Sequence, residues 1–261
     1  MHRASTAPAG QYATDTNLRA RQSLWARIEP PIQLMAWVLD LADLGGDEAV
    51  LEVGCGNGAY LSALVHRGHR GPVVGLDASP GMLRSVTAPV SLVAGDVQRL
   101  PCAAASFDVV LAPHMLYHVP DRAAAARELR RVLRPSGCCL AVTNGAGNLD
   151  ELREVVEAAA GGSWRWERPA ETVFSLDNGA VPLRTAFDSV VRVDLPPRQV
   201  VVTDPDAVAA YLESVRDHYE HQLPPGRWDH VVAAGRRHTA AAVAASGELR
   251  LSSTMGAFVC R

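Results

Sequence analysis

Short apolar runs and amphipathic stretches alternate along most of the chain, and this rhythm predicts strands and helices in turn. From residue 49 onward, each apolar run is followed by a segment whose apolar positions repeat with helical spacing. The runs predicted as strands are Val50–Val53, Val73–Leu76, Val90–Ala94, Phe107–Leu111 and Cys138–Thr143. Strands that alternate with helices build a parallel sheet through right-handed crossovers, so we expect a doubly wound α/β fold.

Capping residues place helices between these strands. Ser79, with Pro80 at the first helical position, begins one helix, and Asp121 begins another that ends near Leu133. The segment Ala59–His66 has the apolar spacing of a third helix. These helices connect successive strands, as the doubly wound fold requires.

Two parts of the chain fall outside the alternation. Residues 1–44 combine a small, polar start with a helical stretch that Pro30-Pro31 interrupts. Residues 161–186 form an insertion with several aromatic residues. We expect residues 45–261 to form one domain, with strand character again in Val190–Leu195 and Leu249–Cys260.

The composition is that of an ordinary globular protein, and it limits the classes of partner. The chain is 48% hydrophobic and 20% charged, with a net charge of −3. Without a basic excess, we expect neither a nucleic-acid partner nor a membrane partner. The 5 cysteines are scattered, which predicts neither a disulfide framework nor a metal site. No apolar run suits a signal peptide or a membrane span, so we expect a cytoplasmic protein.

The most informative segment is a glycine turn between a strand and a helix. It reads Leu51-Glu52-Val53-Gly54-Cys55-Gly56-Asn57-Gly58. Glycines at alternate positions let the backbone turn tightly and let a ligand approach, while the helix N-terminus adds N–H donors. The turn also satisfies the dinucleotide pattern G-x-G-x-x-G/A, so by itself it does not identify the ligand.

Three acidic residues at neighbouring strand ends narrow the class of ligand. Glu52 lies just before the glycines, where a carboxylate suits a cation such as an amino group, directly or through water. Asp77 ends the second strand, where a carboxylate can accept both hydroxyls of a ribose. Asp96 ends the third strand, where it can accept from an adenine amino group. Together they predict a ligand with an ammonium group, a ribose and an adenine, but no phosphate.

In order and spacing, these segments resemble the motifs of class I S-adenosylmethionine-dependent methyltransferases, especially the small-molecule enzymes of the ubiquinone-biosynthesis type. The matching segments are Glu52–Gly58, Leu76–Ser79, Gly95–Val97, Phe107–Val110 and Arg131–Pro135. The resemblance covers about residues 45–145. It implies a Rossmann-like, seven-stranded, mostly parallel sheet that ends in an antiparallel pair, which Val190–Leu195 and Met255–Cys260 would supply.

The resemblance also implies a cofactor and a reaction. S-adenosylmethionine would donate its methyl group to a small-molecule acceptor, in specialised metabolism. The residues that would hold the cofactor are Glu52, Gly54, Cys55, Gly56, Asp77, Ala78, Met82, Asp96 and Val97. Glu52 would contact the methionine part or only support the loop, and Cys55 matters for its small size rather than its thiol.

The segment after the fourth strand is the best candidate for the acceptor site, because open α/β sheets bind ligands at this edge. His114 is the leading candidate for a general base or an acceptor-orienting group; the alternative is that it only shapes the cofactor pocket. His118 would share its face if the segment is helical, and a structural role is favoured for it. Tyr117 contacts the substrate or belongs to the core. Tyr12 closes the site as part of a lid or lies in a flexible tail.

Further candidates lie outside the motifs. Trp164 and Trp166 are expected either to wall the acceptor pocket or to anchor the insertion. Arg19 and Arg21 are expected either to bind a substrate carboxylate or to face solvent. The histidines of the segment 218–221 have no third ligand at suitable spacing, so a solvated helix face is expected there rather than a metal site.

Two other functions stay open. A nicotinamide-dependent oxidoreductase would use the same glycine turn, but it explains neither Glu52 nor Asp96, and the chain has no lysine for a catalytic Tyr-x-x-x-Lys pair. A protein that binds S-adenosylmethionine without transferring methyl is compatible with every motif, because in-line displacement needs positioning more than any obligatory residue. The sequence does not predict whether oxygen, nitrogen or carbon accepts the methyl, nor the oligomeric state.

Overall fold

The computed structural model describes residue 12 and residues 14–261, apart from the side chain of residue 171. In this part of the chain the strands are β1 (Ile28–Glu29), β2 (Val50–Val53), β3 (Val73–Asp77), β4 (Ser91–Ala94), β5 (Phe107–Pro113), β6 (Leu133–Asn144), β7 (Val190–Asp194), β8 (Arg198–Val202), β9 (Leu249–Ser253) and β10 (Met255–Cys260). The helices are α1 (Thr16–Trp25), α2 (Leu34–Leu41), α3 (Ala59–His66), α4 (Pro80–Ser85), α5 (Arg122–Val132), α6 (Asp150–Ala160), α7 (Pro169–Thr172), α8 (Ala180–Leu183), α9 (Pro205–Ser214), α10 (Arg216–Tyr219) and α11 (Arg227–Ser246), with 3-10 turns at Leu116–His118 and Glu220–Gln222.

Seven strands form the main sheet, in the order β4-β3-β2-β5-β6-β10-β7. The strands from β2 to β6 pair in parallel, whereas β10 runs antiparallel to both β6 and β7. The predicted doubly wound fold and its antiparallel pair are therefore confirmed. The order reverses between β2 and β5, and a crevice opens beyond the carboxyl ends of strands at such a point.

Alternating side chains of the strands pack on helices at both faces of this sheet. Leu51 of β2 belongs to the apolar cluster that contains Leu129 of α5. Its neighbour Val50 belongs to the opposite cluster, which contains Leu64 of α3. Because side chains along a strand alternate between faces, Glu52 lies on the α3 side, beneath the turn that follows the strand.

Three short strands form a second sheet that the sequence did not predict. Its order is β1-β8-β9, and both pairings are antiparallel. Trp228 of α11, Leu212 of α9 and Val156 of α6 share one apolar cluster with Val200 and Leu251 of this sheet. We refer to β1, β8, β9, α6 and the helices from α9 to α11 as the cap.

The cap differs from the insertion expected at residues 161–186. Trp166 packs in the cap cluster, but Phe174 and Leu183 of the same insertion belong to the core of the main sheet. The apolar run Leu249–Cys260 is divided at Thr254 between β9 in the cap and β10 in the main sheet. Apolar periodicity indicates that a segment is buried, but it does not indicate which sheet the segment packs against. The sequence therefore could not predict that residues 161–186, or the run Leu249–Cys260, would be divided between the cap and the main sheet.

The structure reproduces the predicted interruption at Pro30-Pro31, between β1 and α2. Among the described residues, none of the helices is both long enough and apolar enough to cross a membrane.

Truncating a core residue of α5 should test the packing of the main sheet. Leu129 is 0% exposed, so Leu129→Ala should lower the free energy of unfolding by about 2–5 kcal/mol through lost burial and the cavity left behind. Arg127→Ala, on the exposed face of the same helix, should change it by less than about 0.5 kcal/mol. Urea unfolding measures both. Similar losses in the two variants would contradict this packing.

Candidate functional site

The glycine turn adopts a conformation that only glycine accepts easily. The φ angles of Gly54, Gly56 and Gly58 are +65°, +55° and +77°. A Cβ on Gly54 would lie 2.7 Å from the Cβ of Met115, and one on Gly56 would lie 3.0 Å from Cδ2 of Leu18. Two other segments, the one after β5 and helix α1, therefore meet over the turn.

Asp77 ties the turn to the end of β3. Its Oδ2 accepts a hydrogen bond from the Gly56 N–H at 2.9 Å, and its Oδ1 accepts one from the Ser79 N–H at 2.8 Å. Burial raises the pKa of Asp77, and these two hydrogen bonds oppose that rise. Each carboxylate oxygen keeps a further lone pair, so the group can accept two more donors, as a ribose diol would provide.

Glu52 is buried beneath the same turn, with 1% of its surface exposed. Among the described residues, its Oε2 has no hydrogen-bond partner, and neither has the hydroxyl of Tyr60 on α3. Burial raises the pKa of Glu52 well above its usual range, and the Asp77 charge adds to that rise. The buried Oε2 is therefore an acceptor that the described protein atoms leave unused.

The remaining expected cofactor residues lie along the same edge of the sheet. Asp96 is exposed, and its carboxylate accepts from the backbone and side-chain amides of Gln98. Val97 is buried, Ala78 is exposed, and Met82 is buried at 1% exposure on α4. The loops after β2, β3 and β4 thus hold the predicted set together at one edge, as their positions at strand ends imply.

The segment before β1 lies across these strand ends. The side-chain amides of Gln22 on α1 and Asn57 in the turn are joined by two hydrogen bonds, of 2.9 and 3.3 Å. The Ser79 hydroxyl donates to the backbone carbonyl of Tyr12 at 2.7 Å. Tyr12 is therefore held at the edge of the sheet, whereas residues 1–11 and 13 lie outside the described part of the chain.

His114 and His118 do not share a helical face. The φ angle of His114 is +53°, and its N–H donates to the Val142 carbonyl at 2.9 Å at the end of β5. His118 follows in the 3-10 turn, where its Nε2 lies 2.9 Å from the Tyr12 hydroxyl. The Tyr117 ring packs edge-on against His118, with centroids 4.5 Å apart.

Two residues that sequence reasoning did not connect complete this group. The His218 ring lies 5.7 Å from that of His118, rather than on a solvated face, and the Arg21 guanidinium carbon lies 5.2 Å from the Tyr12 ring centroid. Burial lowers the pKa of His118 to about 3, with His218 and Arg21 adding to the effect. Burial likewise lowers the pKa of His218 to about 4. We refer to Tyr12, Arg21, Tyr117, His118 and His218 as the histidine–arginine cluster.

The remaining residues that the sequence suggested lie outside the histidine–arginine cluster. Trp166 is buried at 1% exposure, and Trp164 packs edge-on against Trp228 while its Nε1 donates to Gln222 at 3.1 Å. Both tryptophans belong to the cap core or its margin, and the pocket-wall role stays a prediction.

Arg19 is 68% exposed and pairs with Asp15. Among the described residues, no group of three or more potential ligands is placed to hold a metal ion.

Comparison with known proteins identifies relatives of this chain. Residues 51–141 match a family model described as a methyltransferase domain. A malonyl-(acyl-carrier protein) O-methyltransferase from Methylovorus is 38% identical over 127 residues, which cover 44% of this chain and 43% of that protein. An enzyme of the same name from Pseudescherichia vulneris is 32% identical over 185 residues, which cover 66% of this chain and 72% of that protein. The match spans less than half of the Methylovorus protein.

The fold is also found among solved structures. A proposed methyltransferase from an antibiotic-biosynthesis pathway of Anabaena variabilis aligns with a TM-score of 0.65 over 89% of this chain and 98% of that one. The two sequences are 14% identical, so this likeness shows the shared fold alone.

The conformation of the turn can be tested against a second left-handed glycine. Gly54→Ala should lower the free energy of unfolding by about 2–4 kcal/mol, because backbone strain is joined by the clash with Met115. The matched control is Gly68→Ala, with φ +74° and no atom within 4 Å of the new Cβ. Gly68→Ala should lower the free energy of unfolding only by the backbone strain, about 1–2 kcal/mol. Equal losses in urea unfolding would show that Met115 does not lie over Gly54.

The buried histidines should make stability depend on pH. The pKa of His118 falls from 6.5 in the unfolded chain to about 3 in the folded one, so only the unfolded state takes up a proton as the pH falls below about 6.5. Stability should therefore be full above that pH and decline as the pH falls from about 6.5 to about 3. His118→Gln should make this decline shallower in urea unfolding, while His66→Gln, at an exposed position, should leave it unchanged. Identical slopes in wild type and His118→Gln would contradict the burial of a neutral His118.

Proposed function

Because the chain belongs to the class I S-adenosylmethionine-dependent methyltransferases, we propose that it transfers the methyl group of S-adenosylmethionine to a small-molecule acceptor. One observation supports this most directly: a continuous series of hydrogen bonds joins Gly56, Asp77, Ser79, Tyr12 and His118. The series runs from the expected cofactor turn to the segment after β5, where the acceptor would bind.

The residues present fit the adenosyl cofactor. The turn has no Cβ at Gly54 or Gly56, Asp77 keeps two lone pairs for ribose hydroxyls, and the buried Oε2 of Glu52 is an unused acceptor beneath the site of the amino-acid part. Asp96 and Val97 would contact the adenine at the end of β4. When bound, the cofactor supplies a methyl carbon made electrophilic by a sulfonium.

The N-terminal segment would act as a lid. Leu18 contacts the position of Gly56, Gln22 bonds to Asn57, and Tyr12 is bonded to Ser79 and His118. Closing a site in this way excludes water and holds donor and acceptor in line, which supplies much of the acceleration in a displacement reaction. The cofactor and acceptor would enter when these few contacts open.

His114 is better suited to orienting the acceptor than to removing its proton. Burial lowers its pKa to about 4, so the ring is neutral at pH 7 but a weak base. His118 is likewise neutral at pH 7 and a weak base, because its pKa is lower still. The acceptor would therefore arrive already deprotonated, or lose its proton only as the new bond to carbon forms.

The acceptor is a metabolite, which we assign to a specialised pathway because the cap adds an aromatic-rich unit over the sheet. The related malonyl-(acyl-carrier protein) O-methyltransferases act on a carrier-bound malonyl group by name, but the Methylovorus match covers less than half of that enzyme. We therefore do not assign a carrier-bound malonyl group to this chain as its acceptor.

Calorimetric titration with S-adenosylhomocysteine, and with NADH for comparison, tests the cofactor. Wild type should bind the adenosyl ligand and not NADH. Asp77→Asn should weaken binding by about tenfold or more, since it replaces a charged acceptor of ribose hydroxyls by a neutral one. The matched control is Asp47→Asn, because Asp47 forms an exposed pair with Arg70. Preferential binding of NADH, or equal affinity in wild type and Asp77→Asn, would contradict the assignment.

A further inference from the structure

The histidine–arginine cluster contains a partly buried guanidinium for which the cluster itself supplies no carboxylate. Arg21 lies on α1, and its Nη2 is buried without a hydrogen-bond partner among the described residues. A guanidinium stays protonated in proteins, and a buried N–H donor without an acceptor is costly.

The two histidines add unused ring nitrogens to the same place. The Nδ1 atoms of His118 and His218 are both buried without a partner in the described part of the chain. With the Tyr12 O–H donating to Nε2 of His118, the neutral ring carries its proton on Nδ1. The cluster thus offers a cation and the Nδ1–H of His118, and it contains no acidic side chain.

The cluster lies beside the expected cofactor turn. Met115, which contacts the position of Gly54, precedes His118 by one 3-10 turn, and the His118 N–H donates to the Met115 carbonyl at 2.9 Å. Tyr12 joins the cluster to Ser79 at the end of β3. A molecule held by the cluster would therefore be adjacent to the place where the methyl group would be presented.

We propose that this cluster is the binding site for a carboxylate group of the methyl acceptor, with Arg21 as its charged anchor; the inference rests on the proposed function. A carboxylate would pair with Nη2 of Arg21 and accept from the buried Nδ1–H of His118, so that both unused donors gain a partner. Arg19, on the same helix, is exposed and already paired with Asp15, so it has no part in this site.

The test uses protein saturated with S-adenosylhomocysteine and a panel of aliphatic and aromatic carboxylates, each matched with its primary amide. Binding is measured by the shift in unfolding temperature at constant ionic strength and then by calorimetry. Carboxylates should bind and their amides should not. Arg21→Gln should weaken carboxylate binding about 10- to 100-fold, Arg21→Lys should weaken it less, and Arg19→Gln should leave it unchanged.

Binding of S-adenosylhomocysteine is measured in every variant, so the two proposals fail separately. If wild type does not bind that ligand, the proposed function fails. If it binds, but no carboxylate stabilises it more than the matched amide, or Arg21→Gln leaves the preference unchanged, the carboxylate site is overturned. Circular dichroism of Arg21→Gln and Arg21→Lys shows whether each variant folds, and the lysine variant retains the charge if the glutamine variant does not fold.

As a functional readout, the acid and amide pairs of the panel that also carry a hydroxyl or amino group to accept the methyl are incubated with methyl-labelled S-adenosylmethionine. Acids should be methylated with a kcat/KM at least tenfold above that of their amides, and Arg21→Gln should remove most of this difference while Arg19→Gln keeps it. An acid-to-amide ratio near one in wild type would overturn the proposal even if methyl transfer itself occurs.

Discussion

The carboxylate of Asp77 holds together the edge of the sheet on which the rest of the site depends. Its two oxygens accept from the backbone of Gly56, in the glycine turn, and of Ser79, at the start of α4. Ser79 in turn donates through its hydroxyl to the Tyr12 carbonyl, and the Tyr12 hydroxyl is bonded to His118. One partly buried carboxylate therefore fixes the turn directly, and it fixes the lid and the histidine–arginine cluster through two further residues.

The N-terminal segment connects the two sheets. It is bonded to the edge of the main sheet at Tyr12, and 16 residues later β1, beginning at Ile28, pairs with β8 in the cap. Helix α1 lies between these attachments, with Leu18 over Gly56 and Arg21 turned toward Tyr12. Opening the site thus means moving a helix that is attached at both ends, so cofactor entry and the placement of Arg21 are coupled.

Local signals in the sequence predicted the main sheet and the part of the site around the glycine turn. Ser79 was recognisable as a helix cap, and Asp77 as a carboxylate at a strand end, because both roles depend on nearby residues. Arg21 and His218 could not be connected to His118, since helices α1 and α10, which carry them, come together only by packing against α9. The helix that would have placed His114 and His118 on one face does not form, because His114 adopts a left-handed conformation that ends the strand.

The most direct test of this account is a crystal structure with S-adenosylhomocysteine bound. We expect the ligand to lie over the turn from Gly54 to Gly58, with its ribose hydroxyls on Asp77 and with Tyr12 still bonded to Ser79. We also expect the buried Oε2 of Glu52 to be satisfied, directly or through water, by the amino group of the ligand. A ligand bound away from the turn, or an Asp77 that keeps only its contacts to Gly56 and Ser79, would contradict the central claim.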